Sequence, residues 1–317
     1  MHPPEVVVAA DTRDDAAVFR LPDGSGLVQT VDFFTPIVDD PFDWGRIAAA
    51  NALSDVYAMG GTPRLALNIV AWPIETLSTD LLADVLRGGA KAASEAGVAV
   101  VGGHSIHDPE PKYGMAVTGF VDLEQLILNS TARAGAELYL TKPLGIGIIT
   151  TAIKRGKATV EQIQLAVETM TALNAAPARA MVEVGVDAAT DVTGYGLLGH
   201  LNEMLSSSGV AAEIDAASVP FLPGTLELAE SGVVPSGTRA NLAFVSPQVD
   251  WPEMPEPDRL ALADAQTSGG LLIAVSPERA ERLESELASG GVAFAKIGKA
   301  VEGPAGRIAV RGRINRS

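Results

Sequence analysis

Residues 29–61, QTVDFFTPIVDDPFDWGRIAAANALSDVYAMGG, decide how this chain is to be read. The apolar run GLVQTV (26–31) predicts a buried strand, and Asp32 follows it directly, ahead of Phe33-Phe34. An acid in that place is partly desolvated, which is costly unless it is paired or metal-bound. Residues 44–59 predict a helix closed by Gly60-Gly61. On it Asn51 and Asp55 lie four apart and share one face. Their neighbours Ala48, Ala49, Ala50, Leu53, Val56 and Met59 are small or apolar, so the pair reads as turned inward.

Outward from this stretch, RLALNIVAW (64–72) predicts a second strand and 79–96 a longer helix. VAVV (98–101) reads as a buried strand ending at Gly102-Gly103, and YGMAVTGFV (113–121) as another. Strands and helices in mixed succession point to an α+β sandwich with helices on one face. The second half opens near AELYLTKPLGIG (136–147), with helices expected at 160–183 and 197–207 and shorter strands around Ala211, Leu271 and Ile308. Residues 235–257, rich in proline and glycine, read as a long surface excursion. A domain boundary is expected within 122–135, giving domains 1–128 and 129–317, since 317 residues exceed what one core usually serves.

The formal charge of −16 repels nucleic acid and anionic membranes, so neither is an expected partner. A bound phosphate must arrive with metal ions or meet local backbone amides. The count of zero cysteines excludes disulfides, thiolate zinc, iron–sulfur clusters and a cysteine nucleophile within these residues. No apolar run approaches the roughly 20 residues that span a bilayer. The expected compartment is the cytoplasm.

Two further acidic segments join Asp32 and Asp55. Asp14-Asp15, in TRDDAAV (12–18), sits in a turn before an apolar run and reads either as cleft-facing or as an ordinary solvated turn. Asp191 precedes VTGYG. Carboxylates at the ends of apolar elements hold divalent cations, and oxygen-only ligands favour a hard ion such as Mg²⁺. In GGHS, Gly102 and Gly103 read either as a close backbone approach to phosphate or as a tight turn; His104 is an acid catalyst or a structural histidine. Gly194, Gly196 and Gly199 match a dinucleotide fingerprint, but the polar DAATDVT before them argues against the required apolar strand. No G-x-x-x-x-G-K-[ST] occurs. DAQTSGG (264–270) reads as a structural turn at a domain interface.

Taken together, TRDDAAV, the stretch at 29–61, GGHSIHDPEPKYGMAVTG, TKPLGIG, DVTGYGLLGHL and DAQTSGGLL resemble the selenophosphate synthetases, or selenide, water dikinases, within the aminoimidazole ribonucleotide synthetase superfamily. The likeness runs from about Asp11 to the C-terminus. It implies two α+β domains of the sandwich type, a homodimer whose N-terminal strands close a barrel across the subunits, and conversion of ATP, selenide and water to selenophosphate, AMP and phosphate. By the same resemblance Mg²⁺ ligands fall on Asp15, Asp55 and Asp191. ATP contacts fall on Thr12, Arg13, Asp14, Asp32, Asp55, Gly103, His104 and Ser105.

The family also carries a glycine-rich N-terminal segment with a reactive Cys or selenocysteine followed three residues later by Lys. The resemblance places both before Met1, so no catalytic residue of that kind is assigned here. The favoured expectation is a trimmed or late-called start, with a degenerate homologue as the other explanation. This stretch of chain is expected to bind Mg·ATP and make little selenophosphate. The alternatives are a non-catalytic or regulatory Mg·ATP-binding homologue and an ATP-using enzyme of a thiamine- or purine-like metabolite.

Overall fold

The computed structural model describes residues 2–9 and 12–316. Met1, Ala10, Asp11 and Ser317 lie outside the described residues, and with them the point near Asp11 where the resemblance begins.

Two sheets organise the chain. The first contains β1 (Val6–Val8), β2 (Ala17–Arg20), β3 (Gly26–Phe34), β4 (Thr62–Trp72), β5 (Ala99–His107) and β6 (Lys112–Val121), in the order β1-β2-β3-β6-β4-β5. Helices α1 (Pro41–Ala58) and α2 (Thr79–Glu95) cover one face of it. Only β4 and β5 run parallel, joined by α2 as the crossover. The second sheet contains β7 (Glu137–Leu140), β8 (Ala188–Asp191), β9 (Ala211–Asp215), β10 (Val249–Asp250), β11 (Leu271–Val275), β12 (Ala295–Val301) and β13 (Ile308–Arg311), ordered β10-β13-β9-β12-β7-β11-β8. Around it lie α3 (Ile146–Lys154), α4 (Val160–Thr171), α5 (Ala175–Val184), α6 (Gly196–Ser208), α7 (Thr225–Glu230), α8 (Ser236–Val245), α9 (Glu256–Leu262) and α10 (Pro277–Ser289). The architecture is therefore two-domain α+β, and the sheets are mixed.

Helix α1 is the pivot. Asp40 caps it by accepting the Asp43 N–H at 2.9 Å, and Pro41 opens the first turn. From Trp44 to Ala58 every residue except Arg46 is buried. A helix buried all round lies between two layers: one side of α1 meets β3 and β6, and the other meets α4, α5 and β8 of the second half. Its Asn51, Ser54 and Asp55 are consequently held at the seam between the sheets.

The structure corrects several expectations. Asp32 lies inside β3, opposite Met115 of β6, because the strand continues to Phe34. The Gly102-Gly103 pair makes no turn: β5 runs through it to His107 as an edge strand, exposed over most of its length. The expected helix at 160–183 is two, α4 and α5, broken at residues 172–174. Part of the expected surface excursion folds as α8. Within the polar-looking DAATDVT segment, Ala188–Asp191 form β8, buried throughout and packed against α1, with Asp191 ending the strand. A strand thus does precede the glycine fingerprint. It is an edge strand antiparallel to β11, however, so the parallel βαβ setting of a dinucleotide fold is missing on topology rather than on composition.

Candidate active site

Five aspartates from four separate elements line one cavity of about 550 Å³. Asp14 and Asp15 come from the turn between β1 and β2, Asp32 from β3, Asp55 from the last turn of α1, and Asp191 from the end of β8. Arg13 and Glu203 stand at its margin and face each other at 3.8 Å. A larger cavity of about 810 Å³ lies beyond the C-terminal end of α1, at Gly60, Gly61 and Arg179, and is lined by none of these five acids.

Each acid is oriented by a neighbour. Thr190 Oγ1 donates to Asp15 Oδ1 at 2.7 Å, and Thr30 Oγ1 donates to Asp55 Oδ2. Asn51 Nδ2 donates to Asp32 Oδ2 at 2.7 Å. The Asn129 N–H donates to Asp14 Oδ1 at 2.8 Å, and Asn129 Nδ2 to the Arg13 carbonyl at 2.7 Å. These bonds hold Arg13 at φ 54°, a left-handed conformation that a non-glycine residue keeps only when its surroundings impose it.

Burial dominates the electrostatics. It pushes the carboxyls of Asp15 and Asp55 well above the usual carboxylate range, and the neighbouring charge of Asp191 pushes them further. Burial raises Asp191 to about 6, opposed by a hydrogen bond from Ser54 and by the Lys142 ammonium, and assisted by Asp32. Asp32 and Asp14 are raised by burial too, with Asn51 opposing in the first case and Asn129 and Thr12 in the second. Like charges this close favour either protons or a cation among them. Asp14 Oδ2 and Asp191 Oδ2 are buried without a hydrogen-bond partner, which leaves an acceptor open on each side of the cavity.

Among the described residues no three carboxylate or histidine side chains converge as a protein-only metal site requires. The unpartnered oxygens of Asp14 and Asp191, among five aspartates, are hard oxygen donors of the kind Mg²⁺ takes when phosphate oxygens and water complete its coordination. The donor set therefore fits magnesium brought in with a polyphosphate and does not fit a protein-caged ion.

The structure brings together Arg13, Asp14, Asp15, Asp32, Asp55 and Asp191, with Thr12 beside Asp14. Gly103, His104 and Ser105 are not in this cavity; they lie on β5, opposite Asn68, Ile69 and Val70 of β4. Gly103 is required there because a Cβ would stand 2.2 Å from the Asn68 carbonyl oxygen and its φ is 155°. His200, which lines the cavity, was not foreseen. Its Nε2 accepts the Thr193 N–H at 3.1 Å, which places the ring proton on Nδ1, and burial lowers its pKa to about 4, so it is neutral near pH 7. Ser54 was missed although it shares the Asn51/Asp55 face at i+3; helical spacing alone would have found it.

The two-domain fold with a carboxylate-lined seam defines a class, and comparison with known proteins agrees. The model of the AIR synthase related protein N-terminal domain matches residues 13–121, and that of the C-terminal domain matches residues 133–311. The chain is 48% identical over 307 residues to selenide, water dikinase of Escherichia coli K12 and equally to that of Shigella flexneri, covering 97% of this chain and 88% of each relative. It therefore belongs to the AIR synthase related family, in its selenide, water dikinase branch. In fold it is similar to thiamine-monophosphate kinase from Stenotrophomonas maltophilia, with a TM-score of 0.72 at 20% identity over 98% of this chain and 93% of the other. It is also similar to the hydrogenase maturation protein HypE solved in complex with ATP, with a TM-score of 0.69 at 23% identity over 97% and 86%.

Proposed function

We propose that this chain catalyses ATP-dependent formation of selenophosphate from selenide and water, with AMP and phosphate as the other products. Its carrying observation is the meeting of Asp14, Asp15, Asp32, Asp55 and Asp191 in one cavity, in a chain nearly half identical to proteins named selenide, water dikinase. In this reading Asp15, Asp55 and Asp191 hold Mg²⁺. Thr12, Arg13, Asp14, Asp32 and Asp55 meet the phosphates, and Gly103, His104 and Ser105 receive the rest of the nucleotide along β5. Bound there, Mg²⁺ supplies the positive charge that lets a triphosphate enter an acidic cleft and polarises its phosphoryl groups. The protein's own share is orientation. Thr190, Thr30 and Asn51 fix the carboxylates in a buried setting, where electrostatic interactions are stronger than in water.

Two further parts of the reading concern assembly. Residues 1–128 and 129–317 are proposed as the two domains. The face of the first sheet away from α1 and α2 exposes Val31 (53%), Phe33 (51%), Leu67 (45%) and Val101 (58%). An apolar row of this kind on an otherwise acidic protein supports a homodimer joined through these strands, with a barrel formed across the subunits.

Calorimetric titration with Mg²⁺ and a non-hydrolysable ATP analogue tests the site. Binding is expected in the parent chain and is expected to be lost in Asp55→Ala. An Asp55→Ala variant that binds normally removes that residue from the site. Selenide-dependent release of AMP, followed by ³¹P NMR, tests the reaction. Nucleotide binding without that release favours a non-catalytic Mg·ATP-binding homologue.

A further inference from the structure

Lys142 follows β7, is only 8% exposed, and has no carboxylate within ion-pairing distance among the described residues. Its Nζ donates instead to two backbone carbonyls, Ala172 O at 2.7 Å and Ser268 O at 2.8 Å. Ala172 ends α4, and Ser268 lies in the loop between α9 and β11. Burying an ammonium to hold two carbonyls is a costly arrangement unless the loop it holds is needed in one conformation. Ser268 itself sits at φ 49°, and it and Arg13 are the non-glycine residues with positive φ among those described.

Two hydrogen-bonded chains leave this loop and end on carboxylates of the cavity. In the first, the Ser268 N–H donates to Asn51 Oδ1 at 2.8 Å, which turns the Asn51 amide so that Nδ2 donates to Asp32. In the second, Asn174 Nδ2 donates to Gly269 O and to Ser54 Oγ, both at 2.9 Å, and Ser54 stands beside Asp191, opposing the rise of its carboxyl pKa. The loop is seated tightly. A Cβ on Gly269 would stand 2.0 Å from Val192 O, and one on Gly270 would stand 2.4 Å from Lys142 N. Asp32 belongs to the first sheet and Asp191 to the second, so one loop orients a carboxylate on each side of the seam.

We propose that Lys142 is a positioning residue of this site: by fixing the Ser268–Gly269 peptide it orients Asp32 through Asn51 and Asp191 through Asn174 and Ser54. It touches no substrate and acts through the loop alone. The ammonium also lies in the field of Asp191, which opposes the loss of its proton that burial favours. The proposal rests on the reading of these acids as the groups that meet Mg·ATP.

The test is titration with Mg²⁺ and the non-hydrolysable analogue AMPPNP on the full chain, comparing the parent with Lys142→Met, Asn51→Ala and the double variant, each checked for cooperative melting. Lys142→Met is expected to weaken binding by about tenfold or more, as loss of a charged hydrogen-bond donor does. The double variant is expected to bind within about twofold of the weaker single variant, since both act on one chain of contacts. A merely structural lysine lowers the melting temperature and leaves the affinity of the folded protein unchanged. That result, or losses that multiply in the double variant, overturns the proposal. Should Lys142→Met not fold, Asn174→Ala, Ser54→Ala and their double test the second branch; weaker, non-multiplying binding supports it and parent-like binding of Asn174→Ala overturns it. A parent chain that fails to bind AMPPNP overturns the nucleotide reading and this proposal with it. Parent binding with unaffected variants overturns the relay alone.

Discussion

Replacing Asp191 by Asn is expected to stabilise the metal-free protein at neutral pH while destroying its response to Mg²⁺. Asp191 is 2% exposed and its carboxyl is raised to about 6 from an ordinary value of 3.8. Between those two values the folded chain binds more protons at this group than the unfolded chain, so stability falls as pH rises through the window. The shift of about 2 pKa units corresponds to roughly 3 kcal/mol, fully expressed above about pH 6. Asn resembles the protonated carboxyl in shape and keeps an acceptor for Ser54. With an unfolding entropy of about 2.1 cal/mol/K per residue over 317 residues, roughly 3 kcal/mol moves a single transition by about 4–5 °C.

Other buried groups titrate in the same range, so the parent's pH profile alone does not isolate Asp191. Neutral His200 favours higher pH, and Asp264, raised to about 7 by complete burial, favours lower pH. The measurement is therefore a double difference: melting temperatures of parent and Asp191→Asn, in EDTA, at pH 5 and pH 7.5. The variant should exceed the parent at both pH values, by about half as much at pH 5, which lies midway through the window from 3.8 to about 6, as at pH 7.5. Added Mg²⁺ together with a non-hydrolysable ATP analogue should raise the parent's melting temperature at pH 7.5 and leave the variant's unchanged. Equal pH slopes in the two proteins would refute the reasoning, and so would a retained Mg²⁺ response.

Two other outcomes are expected. His200, lowered to about 4 from 6.5 by burial, contributes roughly 3 kcal/mol that is present above about pH 6.5 and lost as pH falls toward 4; His200→Gln should flatten that acid limb in a denaturation series, and an unchanged limb would exclude the histidine as its source. Phe33→Asp, on the exposed face of β3, should convert the proposed dimer to a monomer by light scattering without altering the melt of the monomeric unit; a parent that is already monomeric, or a variant that remains dimeric, would overturn this interface.

Much of the site was legible along the chain because its acids lie where local pattern speaks. Asn51 and Asp55 share a face by helical spacing, and Asp191 marks the end of an element. Asp32 was found for a reason that needed correction: it lies within β3, and its partial burial comes from Asn51 above it on α1. The GGHS segment reads in sequence either as a close approach to phosphate or as a tight turn, because paired glycines look alike in a turn and in a strand, and the structure excludes the turn. Pairing with β4 and the close approach of Asn68 decide for the strand. DAATDVT reads as polar in its letters, yet Ala188–Asp191 within it are buried as β8, since the composition of four residues says little about what packs over them.

The sequence by itself determined the α+β class, the helix that carries Asn51 and Asp55, and the acidic segments, because each rests on spacing within one element. Tertiary structure alone decided that Asp15, Asp32, Asp55 and Asp191 share a cavity, and that Lys142, Ser268, Asn51 and Asn174 form the contacts that orient two of them. Ser268 and Asn51 lie 217 positions apart and Lys142 and Ser268 lie 126 apart. No period of helix or strand relates such residues; only the packing of α1 between two sheets, and a loop tight enough to need glycine against Val192 and Lys142, brings them within hydrogen-bond reach.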